Sequence, residues 1–139
     1  MDKADILKQI NEGMHQTMTT HIGIEITDFG DDFLCGKMPV DNRTTQPYGL
    51  LHGGASAAFA ETLCSVAGGM KMFGENKGVV GIEINANHLK SVKSGWVYGR
   101  AIPVRVGRKI QVWDIKITNE EDELVCVSRL TLAVVEKPS

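Results

Sequence analysis

Residues 53–70 read GGASAAFAETLCSVAGGM, the least polar stretch of the chain. Its length is about the ~18 residues a membrane span needs. Four glycines, several Ser/Thr hydroxyls and a carboxylate in mid-segment make it poor material for facing lipid, and no membrane is expected as a partner. The run therefore reads as a helix inside the protein. It is apolar nearly all round, so other elements must wrap it.

The flanks supply the wrapping. Upstream, Gly23–Thr27 and Phe33–Val40 read as two strands joined by a turn at Gly30-Asp31-Asp32. A Pro/Gly-containing loop, Asp41–Leu51, leads into the helix. Downstream come four strand-like runs: Val79–His88, Gly95–Val104, Lys109–Thr118 and Leu124–Val135. The first alternates with Val80, Ile82, Ile84 and Ala86 on one face. The third sets Gln111, Trp113, Ile115 and Ile117 on one face. Short connections, such as Asn119–Asp122, favour antiparallel pairing. The expected fold is α+β, a curved antiparallel sheet of five or six strands around a long central helix. Open sheet edges call for at least a dimer. Residues 1–20 read as an N-terminal helical segment, with Ile6, Leu7, Ile10 and Met14 at helical spacing within Lys3–Thr19. No repeat or linker divides the chain, and its 139 residues read as one domain.

Composition narrows the function. The net charge of −2 argues against nucleic-acid binding, which needs a basic surplus. Cys35, Cys64 and Cys126 are widely spaced and odd in number, which favours neither disulfides nor structural zinc. The start MDKADILKQI is no signal peptide, so a reducing, cytoplasmic compartment is expected. No GxSxG, GxxxxGK[ST] or HExxH motif occurs.

Glu61 is the one charged side chain between Gly53 and Met70. Leaving a carboxylate in an apolar interior costs several kcal/mol, roughly, without compensation. A structural ion pair or a narrow exposed stripe would accommodate it, but the helix offers no polar stripe beyond Ser65, one turn on. A reaction centre accounts for it better. His52-Gly53-Gly54 stand at the helix start, where backbone N–H groups lack partners and the dipole is positive. Such a terminus polarises a carbonyl or holds an oxyanion. Gly53 and Glu61 are eight residues apart, or roughly 12 Å of rise, so a partner subunit is expected to complete the site. His52 reads equally as a loop residue capping the backbone.

The string from Asp41 to Ser56, DNRTTQPYGLLHGGAS, followed by Ala60-Glu61 and by Gly81–His88 (GIEINANH), resembles the hotdog-fold thioesterases of the phenylacetate-degradation and 4-hydroxybenzoyl-CoA type. The nearest likeness is to the branch that hydrolyses 1,4-dihydroxy-2-naphthoyl-CoA in menaquinone synthesis. Asn42 and Tyr48 depart from it, where His and Phe are common. The resemblance implies an acyl-CoA substrate hydrolysed with no metal or redox cofactor, and an oligomer built as a dimer of dimers. It assigns Glu61 as nucleophile or general base and Gly53 N–H to the thioester carbonyl. Gln46 and His52 stand around that carbonyl, and Ser65 orients water or the carboxylate. Gly81, His88, Leu89, Lys90 and Ser91, with Val106, Gly107, Arg108 and Lys109, line the CoA path. The residues agree in part: Lys90, Lys93, Arg100, Arg105, Arg108 and Lys109 cluster in a stretch free of acids, which suits phosphate contacts, although each alone also reads as a solvated strand end or turn. His88 reads equally as a core histidine. Ala57, Ala58 and Ala60, with Phe59 and Met70, leave room for a flat or branched acyl group, compatible with an aryl one. The alternatives on the same fold are an acyl-CoA hydratase or dehydratase, using His52 with Glu61, and a non-catalytic acyl-CoA sensor.

Overall fold

The computed structural model describes residues 1–137. Two short helices, α1 (Lys3–Gly13) and α2 (Met18–His21), precede a hairpin of β1 (Glu25–Gly30) and β2 (Phe33–Val40). The central helix α3 (Gly53–Met70) follows, then β3 (Lys77–His88), β4 (Gly95–Val106), β5 (Ile110–Thr118) and β6 (Leu124–Glu136). All pairings are antiparallel and the sheet order is β1-β2-β4-β5-β6-β3. No described helix is long and apolar enough to cross a membrane.

The single N-terminal helix expected over Lys3–Thr19 is broken. A capping box between Asp2 and Asp5 starts α1, and the helix stops after Gly13, a poor helix former. Gln16 then takes φ 62°, and the Thr17 hydroxyl donates to the Met14 carbonyl at 2.6 Å, competing with helical pairing. The first strand begins two residues later than Gly23, because Gly23 has φ 81° and closes the end of α2. The other strands match their expected positions to within two residues.

The sheet curls so that its concave face holds α3. Phe59, Leu63, Cys64 and Ala67 meet Val97, Ala101, Trp113, Ile115, Ile117, Leu130 and Leu132, all buried. Burial of Phe59 and Leu63 stabilises by roughly 1.5–3 kcal/mol each. The approach is close because Gly36 and Gly99 face each other across β2 and β4. A methyl on either would stand 2.5 Å from a Leu63 methyl. Gln111, fully buried, shares this core: it donates to the Gly68 carbonyl at 3.3 Å and accepts from the Trp113 indole at 2.9 Å. It thereby caps an orphan carbonyl in the last turn of α3. The helix is not covered all round, as its composition implied. Ala57, Ala58, Glu61, Thr62, Ser65 and Gly69 form a half-exposed stripe.

The two sheet edges differ. At β1, the Asn11 carboxamide from α1 pairs with the Ile26 N–H and C=O, both at 2.9 Å, and occupies the edge. At β3 nothing in the described chain covers twelve residues of edge, where Val80 and Ile82 are 51% and 57% exposed. Replacing Asn11 by Ala would orphan both Ile26 groups. We expect urea unfolding to show a loss of about 1–3 kcal/mol with the m value unchanged.

Candidate active site

The site is built at both ends of one helical stretch. At its start, His52 is the N-cap and its Nδ1 accepts from the Gly54 N–H at 2.8 Å. This is the capping role, and it commits the neutral imidazole to carrying its proton on Nε2. Ala55 and Ser56 bond back to the His52 carbonyl. The Gly53 N–H has no acceptor among the described residues, so it is free for a ligand. The His88 ring lies against Gly53: a methyl there would stand 2.8 Å from His88 Nε2. His88 is therefore neither buried nor core, and belongs to the site.

The loop before the helix is held by its own hydrogen bonds. Thr44, 2% exposed, donates to the Pro39 carbonyl at 2.7 Å, and the His52 N–H donates to the Thr44 carbonyl at 2.8 Å. Gln46 Oε1 accepts from the Tyr48 N–H at 2.5 Å, while Gly49 at φ 80° completes the turn. With its oxygen engaged, Gln46 is left with an NH₂ to donate. Gln46, Gly53, Ser56, His88, Lys90 and Ser91 line a cleft of about 360 Å³, floored by the aliphatic Leu51 and Val125.

Two turns further on, Glu61 is half-buried and makes no hydrogen bond or ion pair with any described residue. Its carboxylate abuts β3 at Gly81: a methyl on Gly81 would stand 2.5 Å from Glu61 Oε2. The β3–β6 register shifts between Gly81 and Glu83, so a bulge re-aims the strand at this point. Within the chain Gly81 therefore lies against this carboxylate and outside the cleft of His88–Ser91. Ser65 lies one turn beyond on the same helix face.

Helix geometry keeps these parts separate in one chain. Gly53 and Glu61 differ by roughly 12 Å along the axis and about 80° around it. The hairpin Val106–Lys109 is further away. It precedes Gln111, which bonds Gly68, roughly 22 Å from Gly53 along α3. Of the expected CoA contacts, His88, Leu89, Lys90 and Ser91 join the Gly53 cleft, and Val106, Gly107, Arg108 and Lys109 do not. Lys90 is already paired with Glu123 at 3.4 Å, and Arg100 stacks on Phe33 at 4.3 Å. Lys93, Arg105, Arg108 and Lys109 make no ion pair with a described residue.

Two readings of the acyl pocket are corrected. Phe59 and Ala60 point into the sheet and are fully buried, so they line the core. Met70 lies about 180° around the helix from Glu61. Ala57, Ala58 and Gly69 remain on the open stripe, with nothing within 4 Å of a methyl placed on Gly69. The sequence reading passed over Ser56, whose only signal is its place in the HGGAS string.

The thioesterase superfamily model matches residues 48–126, which span the end of the loop, α3, β3, β4, β5 and the start of β6. The chain belongs to that superfamily. It is 47% identical over 129 residues to the 1,4-dihydroxy-2-naphthoyl-CoA hydrolase of Escherichia coli, covering 93% of this chain and 94% of that one. It is 48% identical over 129 residues to the proofreading thioesterase EntH of Cronobacter turicensis, covering 93% of each. A thioesterase crystal structure from Haemophilus influenzae superposes with a TM-score of 0.91 at 51% identity, over 96% of this chain and 92% of that one. A Staphylococcus aureus thioesterase, 36% identical with a TM-score of 0.82 over 85% of this chain and 98% of its own, has been solved with a glutamine replaced by alanine. The same protein has been solved with a glutamate replaced, fifteen positions later. The fold is the hotdog fold, and the chain is a thioester hydrolase.

Two of the three thiols, Cys64 and Cys126, are buried. Burial holds the Cys64 thiol far above the usual thiol range, with Asp114 and Glu61 adding to the effect. Burial raises Cys126 as well. At pH 8 both are protonated and covered. Ellman's reagent should leave these two unmodified in the native protein and titrate all three cysteines in guanidinium.

Proposed function

We propose that this thioesterase hydrolyses an acyl-CoA to the free acid and CoA, and that the acyl group is aryl, of the dihydroxynaphthoyl, hydroxybenzoyl or phenylacetyl kind. The observation that carries the reading is the pairing, on one helix, of an unpartnered N–H at Gly53 with an unpaired carboxylate at Glu61. The N–H polarises the thioester carbonyl and stabilises the oxyanion. Glu61 attacks that carbon or takes a proton from the attacking water, and the CoA thiolate leaves. Ser65 orients the water or the carboxylate, and Gln46 donates from the loop. His52 acts on the site through its cap of α3. The names of the E. coli and C. turicensis relatives support thioester cleavage with an aryl acyl group in the first case. Gln46 and Glu61 stand fifteen positions apart, as do the glutamine and glutamate replaced in the S. aureus protein.

The active unit is a homodimer joined through the open β3 edges. Antiparallel pairing of two copies sets the His88 end of one strand, with its Gly53, alongside the other strand's Lys77–Gly81 segment, where the partner's Glu61 stands. The same two-fold sets α3 of one copy antiparallel to the other. The distant Val106–Lys109 hairpin then reaches the partner's cleft with three cations for CoA phosphates when Arg105 is included. Ile102, Val104 and Ile110, exposed on the outer sheet face, support association of two dimers.

Steady-state release of CoA thiol, followed over aryl and aliphatic acyl-CoAs, tests the reading. Glu61→Ala should lose about 10³-fold or more in kcat while still binding CoA. A wild type that binds CoA and cleaves no thioester would refute it. Gly81→Ala should displace the Glu61 carboxylate and lower kcat by roughly 10²-fold. Its melting temperature should stay within a few degrees, since Gly81 is exposed and carries no positive φ.

A further inference from the structure

Ser56 is the one hydroxyl on α3 that is almost wholly buried, at 1% exposure, and makes no hydrogen bond with a described residue. Thr62, on the same helix, bonds the Ala58 carbonyl at 2.7 Å, as helical hydroxyls commonly do. Ser56 does not. No fully sealed side-chain polar atom lacks a partner among the described residues. The sliver of Ser56 that remains accessible is therefore its oxygen, and it opens into the cleft that holds Gly53, Gln46 and His88. An unpaired hydroxyl in such a place costs stability unless something fills it.

The cleft defines what would fill it. Its donors are the Gly53 N–H, the Gln46 NH₂, the Lys90 ammonium and the hydroxyls of Ser56 and Ser91, while Leu50, Leu51 and Val125 form aliphatic walls. The Glu61 carboxylate is absent from it. A thin chain with methylenes and amide carbonyls matches that mixture of aliphatic walls and hydrogen-bond donors. We propose that Ser56 is a binding residue for the pantetheine arm of CoA, its hydroxyl donating to an amide carbonyl of the arm. The assignment rests on the acyl-CoA reading above and adds to it the side of the helix along which the thiol half of the substrate lies.

Ser56→Ala removes a single oxygen that no protein group uses. The free variant should therefore fold as wild type, with a melting temperature equal or slightly higher. Calorimetric titration should show Kd for CoA raised about three- to tenfold, the worth of one hydrogen bond. Kd for adenosine 3′,5′-bisphosphate, which lacks the arm, should be unchanged, and KM for acyl-CoA should rise by the same factor as Kd for CoA. Unchanged CoA affinity with a lowered kcat would place the hydroxyl on the thioester carbonyl and overturn the assignment. A melting temperature lowered by several degrees would show a structural hydroxyl and overturn it too. A wild type that binds CoA but cleaves no thioester would refute the proposed hydrolysis and leave the binding assignment standing. The two CoA titrations would still decide Ser56.

Discussion

The structure depends on the seating of one apolar helix against a glycine pair. Leu63 and Phe59 can press onto the sheet only because Gly36 and Gly99 leave no side chains between the backbones. Every feature of the site is measured from that contact. It sets the depth of α3 in the concave face, so that Glu61 reaches β3 at Gly81 and the helix start reaches β3 at His88. Gln111 secures the far end by capping Gly68 from the core. The helix is thus pinned along its length, and its charged and open groups face outward at fixed heights.

A helix so pinned cannot fold back on itself, and this shapes the chemistry. The donor at Gly53 and the carboxylate at Glu61 are held apart by the rise of α3. The same rigidity that preorganises each group prevents one chain from closing them on a single carbonyl. The asymmetry of the sheet edges answers this. Asn11 blocks β1 with two hydrogen bonds, while β3 keeps its backbone groups and its Val80 and Ile82 open. An edge that long is an aggregation hazard unless it pairs. In the proposed homodimer, a two-fold through this edge would supply the missing half of each site.

The polar groups of the site follow one rule. Those with structural duties are satisfied: His52 caps, Thr44 holds the loop, and Gln46 Oε1 is used by its own turn. Those aimed at the cleft are unsatisfied: the Gly53 N–H, the Ser56 hydroxyl, and, on the stripe beyond, the Glu61 carboxylate. Leaving donors and a charge unpaired disfavours the empty protein slightly and favours it when a ligand is bound.

Much of this was legible in the amino-acid order. The run Gly53–Met70 is too apolar to lie on a surface and too rich in glycine and hydroxyls to face lipid, so it announced a wrapped helix. Alternation in the later segments announced the antiparallel strands, and a lone Glu61 after His52-Gly53-Gly54 marked the candidate site. These are local properties, set by side-chain period and charge. The sequence misread what depends on direction around a cylinder, since Phe59 and Ala60 turn into the core, and it ran α1 past Gly13, where the helix stops ahead of a Thr17 hydroxyl bonded to the Met14 carbonyl. Only tertiary structure decided that Gly81 makes room for a carboxylate and that Gly53 makes room for His88. It also decided that Ser56 has no partner, and that Val106–Lys109 lies at the far end of α3 from the residues it was grouped with. Those facts are distances between residues far apart in the chain, and no local pattern of hydrophobicity or charge encodes a distance across a sheet.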